Sequence, residues 1–276
     1  MDRKFGFTFG RTPEGNRQDY EALEKRLAQQ PIIPVTNPPI VTPAPNVVPP
    51  IATNPSPTNL QFWTISDVNY RGIVGNVDVA KTLLENGTSK TQSDWANYSG
   101  QARTRGDFYT PDYPLFYASL EKAFDLKDEK AYKKQTEEMR TALKGLSRAN
   151  WLMTLTRIKY APKGKDTIIH NFGLNDKYEL AEDFMGQDGF LPAGSPEKVY
   201  QSLLGTQNSL GKINDVFKWL NETQTYIWRV NSKPKSADER VAWFGAGSDR
   251  AVLYCDRDPT YSDSSLGVRF VARKKI

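Results

Sequence analysis

The chain contains one cysteine, Cys255, and one histidine, His170. A single cysteine excludes an intrachain disulfide, so a packed core must hold the fold, and assembly in a reducing compartment is expected. A single histidine with no cysteine beside it cannot build a zinc site of the usual kind. In Thr167-Ile-Ile-His170-Asn-Phe it reads as a side chain that satisfies a strand or loop hydrogen bond. No stretch of 18 consecutive apolar residues occurs, so no membrane span is expected. The opening Met1 to Gly6 has no apolar run of the kind a signal peptide requires. HExxH, GxSxG and a Walker A lysine are missing, and Gly245-Ala-Gly247 lacks the strand-to-helix context of a dinucleotide fingerprint. Cys255 has no activating constellation around it, so no catalytic residue, cofactor or metal is expected and the reading is non-enzymatic. Charge of one sign is also scarce. The net charge of +5 is small for 276 residues, and Glu121 to Lys144 interleaves acids with bases, which argues against a nucleic-acid partner.

The most informative absence is local. From Phe244 to Arg273 there is no Lys, Glu, Gln, Met or Trp, although the rest of the chain uses all five. Small and polar residues fill the segment, set on a frame of Trp243, Cys255, Arg257, Pro259, Gly267 and Arg269. This is the profile of a recognition surface on a fixed scaffold, where Tyr gives contact area at low entropy cost and Ser, Gly and Asp give adaptable polar contacts. Strand alternation sorts the candidates. With Ala251, Leu253 and Cys255 facing the core, Val252, Tyr254 and Asp256 face outward. Phe244, Gly245, Asp249 and Arg250 precede that strip in a loop, and Asp258, Tyr261 and Asp263 follow it in another. These ten residues are the candidate ligand-binding set. Asp256, Asp258 and Asp263 also offer oxygen ligands of the kind calcium takes, but the Glu-Pro-Asn and Trp-Asn-Asp motifs of calcium-dependent lectins are absent.

The stretch from Trp243 through Cys255-Asp-Arg-Asp-Pro259 to Leu266-Gly-Val-Arg-Phe270 resembles the variable region of C-type-lectin-fold proteins diversified by retroelements, and within that family the archaeal viral members. In that family a reverse transcriptase miscopies template adenines, and AAY codons scatter over a restricted set of residues from which Lys, Glu, Gln, Met and Trp cannot be reached. The resemblance implies a non-enzymatic receptor-binding protein whose variable face, about 243–276, recognises a protein or glycan on a cell surface, as a viral tail-tip adhesin or a host-encoded counterpart. It also implies location on a virion tail tip or on a surface structure assembled in the cytoplasm. Formylglycine-generating enzymes close on a similar Gly-x-Arg strand and form the alternative, together with a calcium-dependent sugar-binding lectin.

Three regions follow from composition. Residues 1–30 hold Tyr20, Leu23 and Leu27 at helical spacing, a short amphipathic anchoring helix that needs a partner. That partner would be a virion, another surface assembly or a second copy of the chain. Residues 31–58 form a linker with ten prolines, an extended stalk at about 3.1 Å per residue. The head, 59–276, has an α+β order similar to the C-type lectin fold. Leu60 to Ile65 reads as a strand, Val77 to Glu85 as a short helix, and Thr110-Pro111 as the cap of a helix through Phe124. A second main helix carries Met139 and Leu143. Trp151 to Tyr160 and Asp166 to Phe172 are strands, Ser195 to Gly205 and Ile213 to Asn221 are helices, and Tyr226, Trp228 and Val230 alternate in a strand. Val241 to Phe244, Ala251 to Asp256 and Gly267 to Ala272 supply the last short strands.

Overall fold

The computed structural model describes residues 60–182, 185–186, 189–190, 196–228, 231–247 and 250–273. The anchoring helix and the Pro-rich stalk expected before residue 59 lie outside the described residues, as do Val230 and Asp249. The head is α+β, with helices α1 (Gln92–Arg105), α2 (Tyr113–Leu126), α3 (Lys133–Ala149), α4 (Glu197–Leu204) and α5 (Leu210–Asn221). Its strands are β1 (Phe62–Tyr70), β2 (Ile73–Leu83), β3 (Leu152–Tyr160), β4 (Asp166–His170), β5 (Tyr178–Glu182), β6 (Gly189–Phe190), β7 (Thr225–Trp228), β8 (Asp238–Ala246), β9 (Ala251–Arg257) and β10 (Leu266–Ala272).

The strands form two sheets. The smaller has the order β1-β2-β10, and the larger β5-β4-β3-β8-β9-β7-β6. Arg71-Gly72, both at positive φ, turn β1 back onto β2 in a two-residue hairpin. The C-terminal strand β10 then pairs antiparallel with β2, so the end of the head closes on its beginning. A buried charge pair fixes that closure. Arg269 donates from Nε at 2.9 Å and Nη2 at 2.6 Å to Asp78 Oδ2, while Thr64 Oγ1 donates at 2.6 Å to Asp78 Oδ1. Gly267 is required beside them, because a Cβ there would lie 2.6 Å from Leu84 Cδ2 and 3.3 Å from Phe108 Cβ.

Helices α2 and α5 cover one face of the larger sheet. Phe116, Tyr117 and Leu120 from α2 and Val216, Phe217 and Leu220 from α5 meet Ile158, Ala242, Phe244, Leu253 and Cys255 in one core cluster. Each fully buried large apolar side chain contributes roughly 1.5–3 kcal/mol, so this layer secures the inner face of the sheet. Asp112 caps α2 by accepting from Leu115 N at 2.9 Å and also accepts from Tyr70 OH at 3.0 Å.

Two local expectations are corrected. Val77 to Leu83 is not a helix but the body of β2, with Leu84 and Glu85 opening a short 3-10 turn, because a central strand covered on both faces buries Val77, Asp78, Val79 and Ala80 in succession, a pattern that hides its period of two. The cap of α2 is Asp112 rather than Thr110, since Tyr109 is held in an extended bridge to Val268 and the chain turns only after it. Among the described residues no helix is long and apolar enough to cross a membrane.

Candidate functional site

Strands β8 and β9 form a hairpin in the larger sheet, with Trp243 opposite Tyr254 and Gly245 opposite Val252. Alternation divides the hairpin. Ala242, Phe244, Ala251, Leu253 and Cys255 point into the core, and Trp243, Gly245, Val252 and Tyr254 lie on the other face. Trp243 and Tyr254 stack there almost parallel, with centroids 3.8 Å apart and planes 6° from each other. Trp151, at the junction of α3 and β3, packs against Trp243 with centroids 4.9 Å apart. The row continues through Arg257. Its guanidinium lies 4.8 Å from the Trp151 ring and 4.5 Å from the Tyr261 ring, which makes it the joint between the two.

Gly245 lies under this row for a steric reason. A Cβ on it would come within 3.2 Å of Trp151 Cδ1 and 3.3 Å of Tyr254 Cε2, closer than comfortable contact. Trp243 is only 3% exposed beneath its neighbours, whereas Trp151 is 39% and Tyr261 57% exposed. The indole Nε1 of Trp243 is buried without a hydrogen-bond partner among the described residues, so stacking rather than polar bonding sets its orientation.

The loop between β9 and β10 is held from three sides. Asp263 and Lys90 exchange backbone hydrogen bonds at 3.0 and 3.1 Å, and Trp95 Nε1 donates to Asp263 O at 2.7 Å. Met153 N donates to Ser264 O at 2.9 Å, which ties the start of β3, and Trp151 with it, to the loop that carries Tyr261. The Asp263 carboxylate takes Arg257 Nε at 2.9 Å and Nη2 at 3.0 Å, a bidentate pair that fixes the guanidinium plane. Burial pushes the Asp263 carboxyl up, with Arg257 pulling against it. Asp258 accepts from Thr260 N at 2.8 Å and Thr260 Oγ1 at 2.6 Å, and these bonds hold its carboxyl below the usual range. Pro259 sits inside this turn, which Tyr261 N closes on Asp258 O at 3.0 Å.

The candidate residues therefore separate. Tyr254, Asp256, Asp258 and Tyr261 lie on or beside the outer face, and Arg250 is half-buried with its guanidinium 5.0 Å from the Tyr226 ring. Phe244, expected in an exposed loop, is wholly buried. It belongs to β8 and packs 5.3 Å from Phe116 and 5.5 Å from Phe217, so it is a core residue. Gly245 and Val252 are on the outer face but covered, the first by the rings and the second at 4% exposure between β8 and β7. Asp263 is committed to Arg257 and is a positioning residue for it. Of the expected scaffold, Cys255 is buried in the core, while Trp243 and Arg257 are themselves part of the aromatic row. Trp151, which sequence reads only as a strand residue, joins the face; the alternation with Met153 and Leu155 gives no sign of it.

His170 is fully buried. Its Nδ1 meets Thr156 Oγ1 at 3.0 Å and its Nε2 meets Ser202 O at 2.9 Å, and burial lowers its pKa to about 4. Among the described residues there is no group of three or more His, Cys, Asp or Glu able to hold a metal ion. A separate polar cavity of about 440 Å³ lies by the β1–β2 turn, α2 and the α4–α5 loop. Most of its lining charges are paired within the protein, Glu121 with Asn208, Asp125 with Lys212, Arg71 with Asp176 and Asp67 with Arg273. Comparison with protein-family models, with curated proteins and with solved structures finds no match to this chain.

Proposed function

We propose that the head is a non-enzymatic ligand-binding domain of C-type-lectin-like fold whose β8–β9 face and following loop recognise a macromolecular partner. The observation that carries this reading is the row of Trp151, Trp243, Tyr254, Arg257 and Tyr261, stacked on the outer face of a sheet whose inner face is fully packed. Trp, Tyr and Arg dominate binding hot spots, the two aromatics because they bring large area with few rotatable bonds and Arg through its planar, stacking guanidinium. Rigid aromatics beside adaptable Ser, Gly and Asp are the composition of a changeable paratope. The restricted alphabet of 244–273 supports diversification by a retroelement; the lectin-like fold is supported only by the α+β make-up and the short C-terminal strands β8–β10, since the head has five helices where two main ones are expected. In this account residues 31–58 are the stalk and residues 1–30 the anchor of a viral tail-tip or surface adhesin. Several heads on one particle would raise avidity through effective concentration.

The test is to pan a random-peptide library on the immobilised full chain and compare recovered peptides on the unmodified chain, Tyr254→Ala and Arg250→Ala. The expected result is loss of capture in both variants with unfolding midpoints close to that of the unmodified chain. Peptides that bind both variants undiminished would place recognition elsewhere and sink the reading.

A further inference from the structure

We infer that Trp151, which lies outside the C-terminal segment, is the fixed anchor of the binding face, and that with Tyr261 it receives an apolar side chain of a protein partner. This rests on the reading of β8–β9 as a binding face and adds a residue and a ligand chemistry to it.

Three observations carry the inference. First, Trp151 is 39% exposed although it touches Trp243 and lies within cation–π distance of Arg257, so part of the ring remains available to a partner. Most of an exposed tryptophan's surface is apolar, and leaving it in water on an otherwise packed sheet has an energetic cost that a partner would remove. Secondly, its position is determined by the backbone. Leu152 bridges Ser264, Met153 N bonds Ser264 O, and Ser265 Oγ donates to Met153 O at 3.2 Å, so Trp151 and the Tyr261 loop are held in one register. A rigid pair of rings loses little entropy when a ligand settles between or upon them.

Thirdly, the charges around the rings are already satisfied. Arg257 gives two donors to Asp263, whose carboxylate is itself almost fully covered. An anionic ligand would have to displace that carboxylate, whose backbone the Lys90 and Trp95 bonds hold in place. A neutral sugar would need carboxylate or amide groups beside the rings for its hydroxyls, and Asp258 and Asp263 are engaged by Thr260 and Arg257. The largest apolar exposure on the face is ring surface, Trp151 at 39% and Tyr261 at 57%. That chemistry fits a Leu, Ile, Met or aromatic side chain on a protein.

The probe is a synthetic peptide recovered from a random-peptide library on the full chain. Trp151→Ala is expected to weaken its binding by about tenfold or more, the size of a single hot-spot loss, while Trp151→Phe retains most of it. In the chain labelled with fluorotryptophan, the fluorine resonance assigned by its disappearance in Trp151→Phe should shift when peptide is added. That readout needs no alanine variant, so it stands even where Trp151→Ala fails to fold. Unchanged affinity in Trp151→Ala with an unmoved resonance would overturn the anchor. If Tyr254→Ala abolishes peptide binding under those same conditions, the binding face survives and the anchor alone falls; if neither variant matters, both fall. Trp151-dependent binding of a sulfated or neutral oligosaccharide in place of peptides would overturn the assignment to a protein partner.

Discussion

Phe244 and Tyr254 lie on opposite faces of one β-hairpin, and their alanine variants should differ sharply in stability. Phe244 is wholly buried, with its ring 5.3 Å from Phe116 and 5.5 Å from Phe217, so Phe244→Ala removes a full aromatic side chain and leaves a cavity between α2, α5 and the sheet. Substitutions of this type cost about 3–5 kcal/mol, because the lost transfer energy adds to an imperfectly collapsed void. For a domain of this size that corresponds to a fall in Tm of roughly 6–20 °C, at about 2–4 °C per kcal/mol. Tyr254 is partly exposed and stacks on Trp243, so Tyr254→Ala should cost less, about 1–2 kcal/mol, for the aromatic pair and the ring area it covers. The assay is guanidinium unfolding of the full chain followed by near-ultraviolet circular dichroism, with the slope checked for constancy so that midpoints report stability. Peptide capture should show the reverse order, lost in Tyr254→Ala and, below the unfolding transition, kept in Phe244→Ala. A cost under about 1 kcal/mol for Phe244→Ala would refute the assignment of faces.

Further outcomes follow from other buried groups. Asp112 is fully covered, and desolvation raises its pKa to about 6 against hydrogen bonds from Leu115 N and Tyr70. Its folded pKa lies above its unfolded value, so the native state gains stability as pH falls from about 6 towards 4, where the folded protein takes up a proton that the unfolded chain does not. Asp112→Asn keeps the cap through Oδ1 but turns a donor towards Tyr70 and cannot ionise, so its stability relative to the unmodified chain should be greater at pH 7 than at pH 4, by up to about 3 kcal/mol. Equal differences at the two pH values would contradict this. His170 works in the opposite direction: its pKa is lowered by burial, so its contribution is present above about 6.5 and is lost as pH falls to about 4. His170→Asn should therefore flatten the acid loss of stability in that window, and an unchanged loss would show that His170 is not buried neutral. Gly267→Ala places a methyl 2.6 Å from Leu84 Cδ2 and should destabilise by about 1–3 kcal/mol through overpacking, measurable as a lower midpoint.

Much of this architecture was legible in the residues, for identifiable reasons. Apolar periodicity locates α3 and α5, each of which buries one stripe and exposes its other face, and apolar content locates α2, which is covered almost all round. Alternation placed Cys255 and Leu253 inward and Tyr254 outward, since β9 has unlike faces. β2 was misread because it has like faces, and α1 was missed because its buried side is built from Gln92, Ser99 and two alanines around Trp95, with little apolar contrast. Within the site, sequence puts Phe244 at a strand end opening into a loop, whereas β8 runs on to Ala246 and turns Phe244 into the core. Trp151 could not be joined to Tyr261 from sequence, since the tie between them is the long-range pairing of Met153 with Ser264.

The account's central claim is that this face is a diversified binding surface, and the most direct measurement is to read the DNA flanking the codons for Trp243 to Ile276. The account predicts a near-repeat of those codons beside a reverse-transcriptase gene, differing only where the template carries adenine. The altered codons should include Tyr254, Asp256 and Tyr261 and spare the core residues Phe244, Leu253 and Cys255. No such repeat, or differences that fall on the core residues instead, would contradict it.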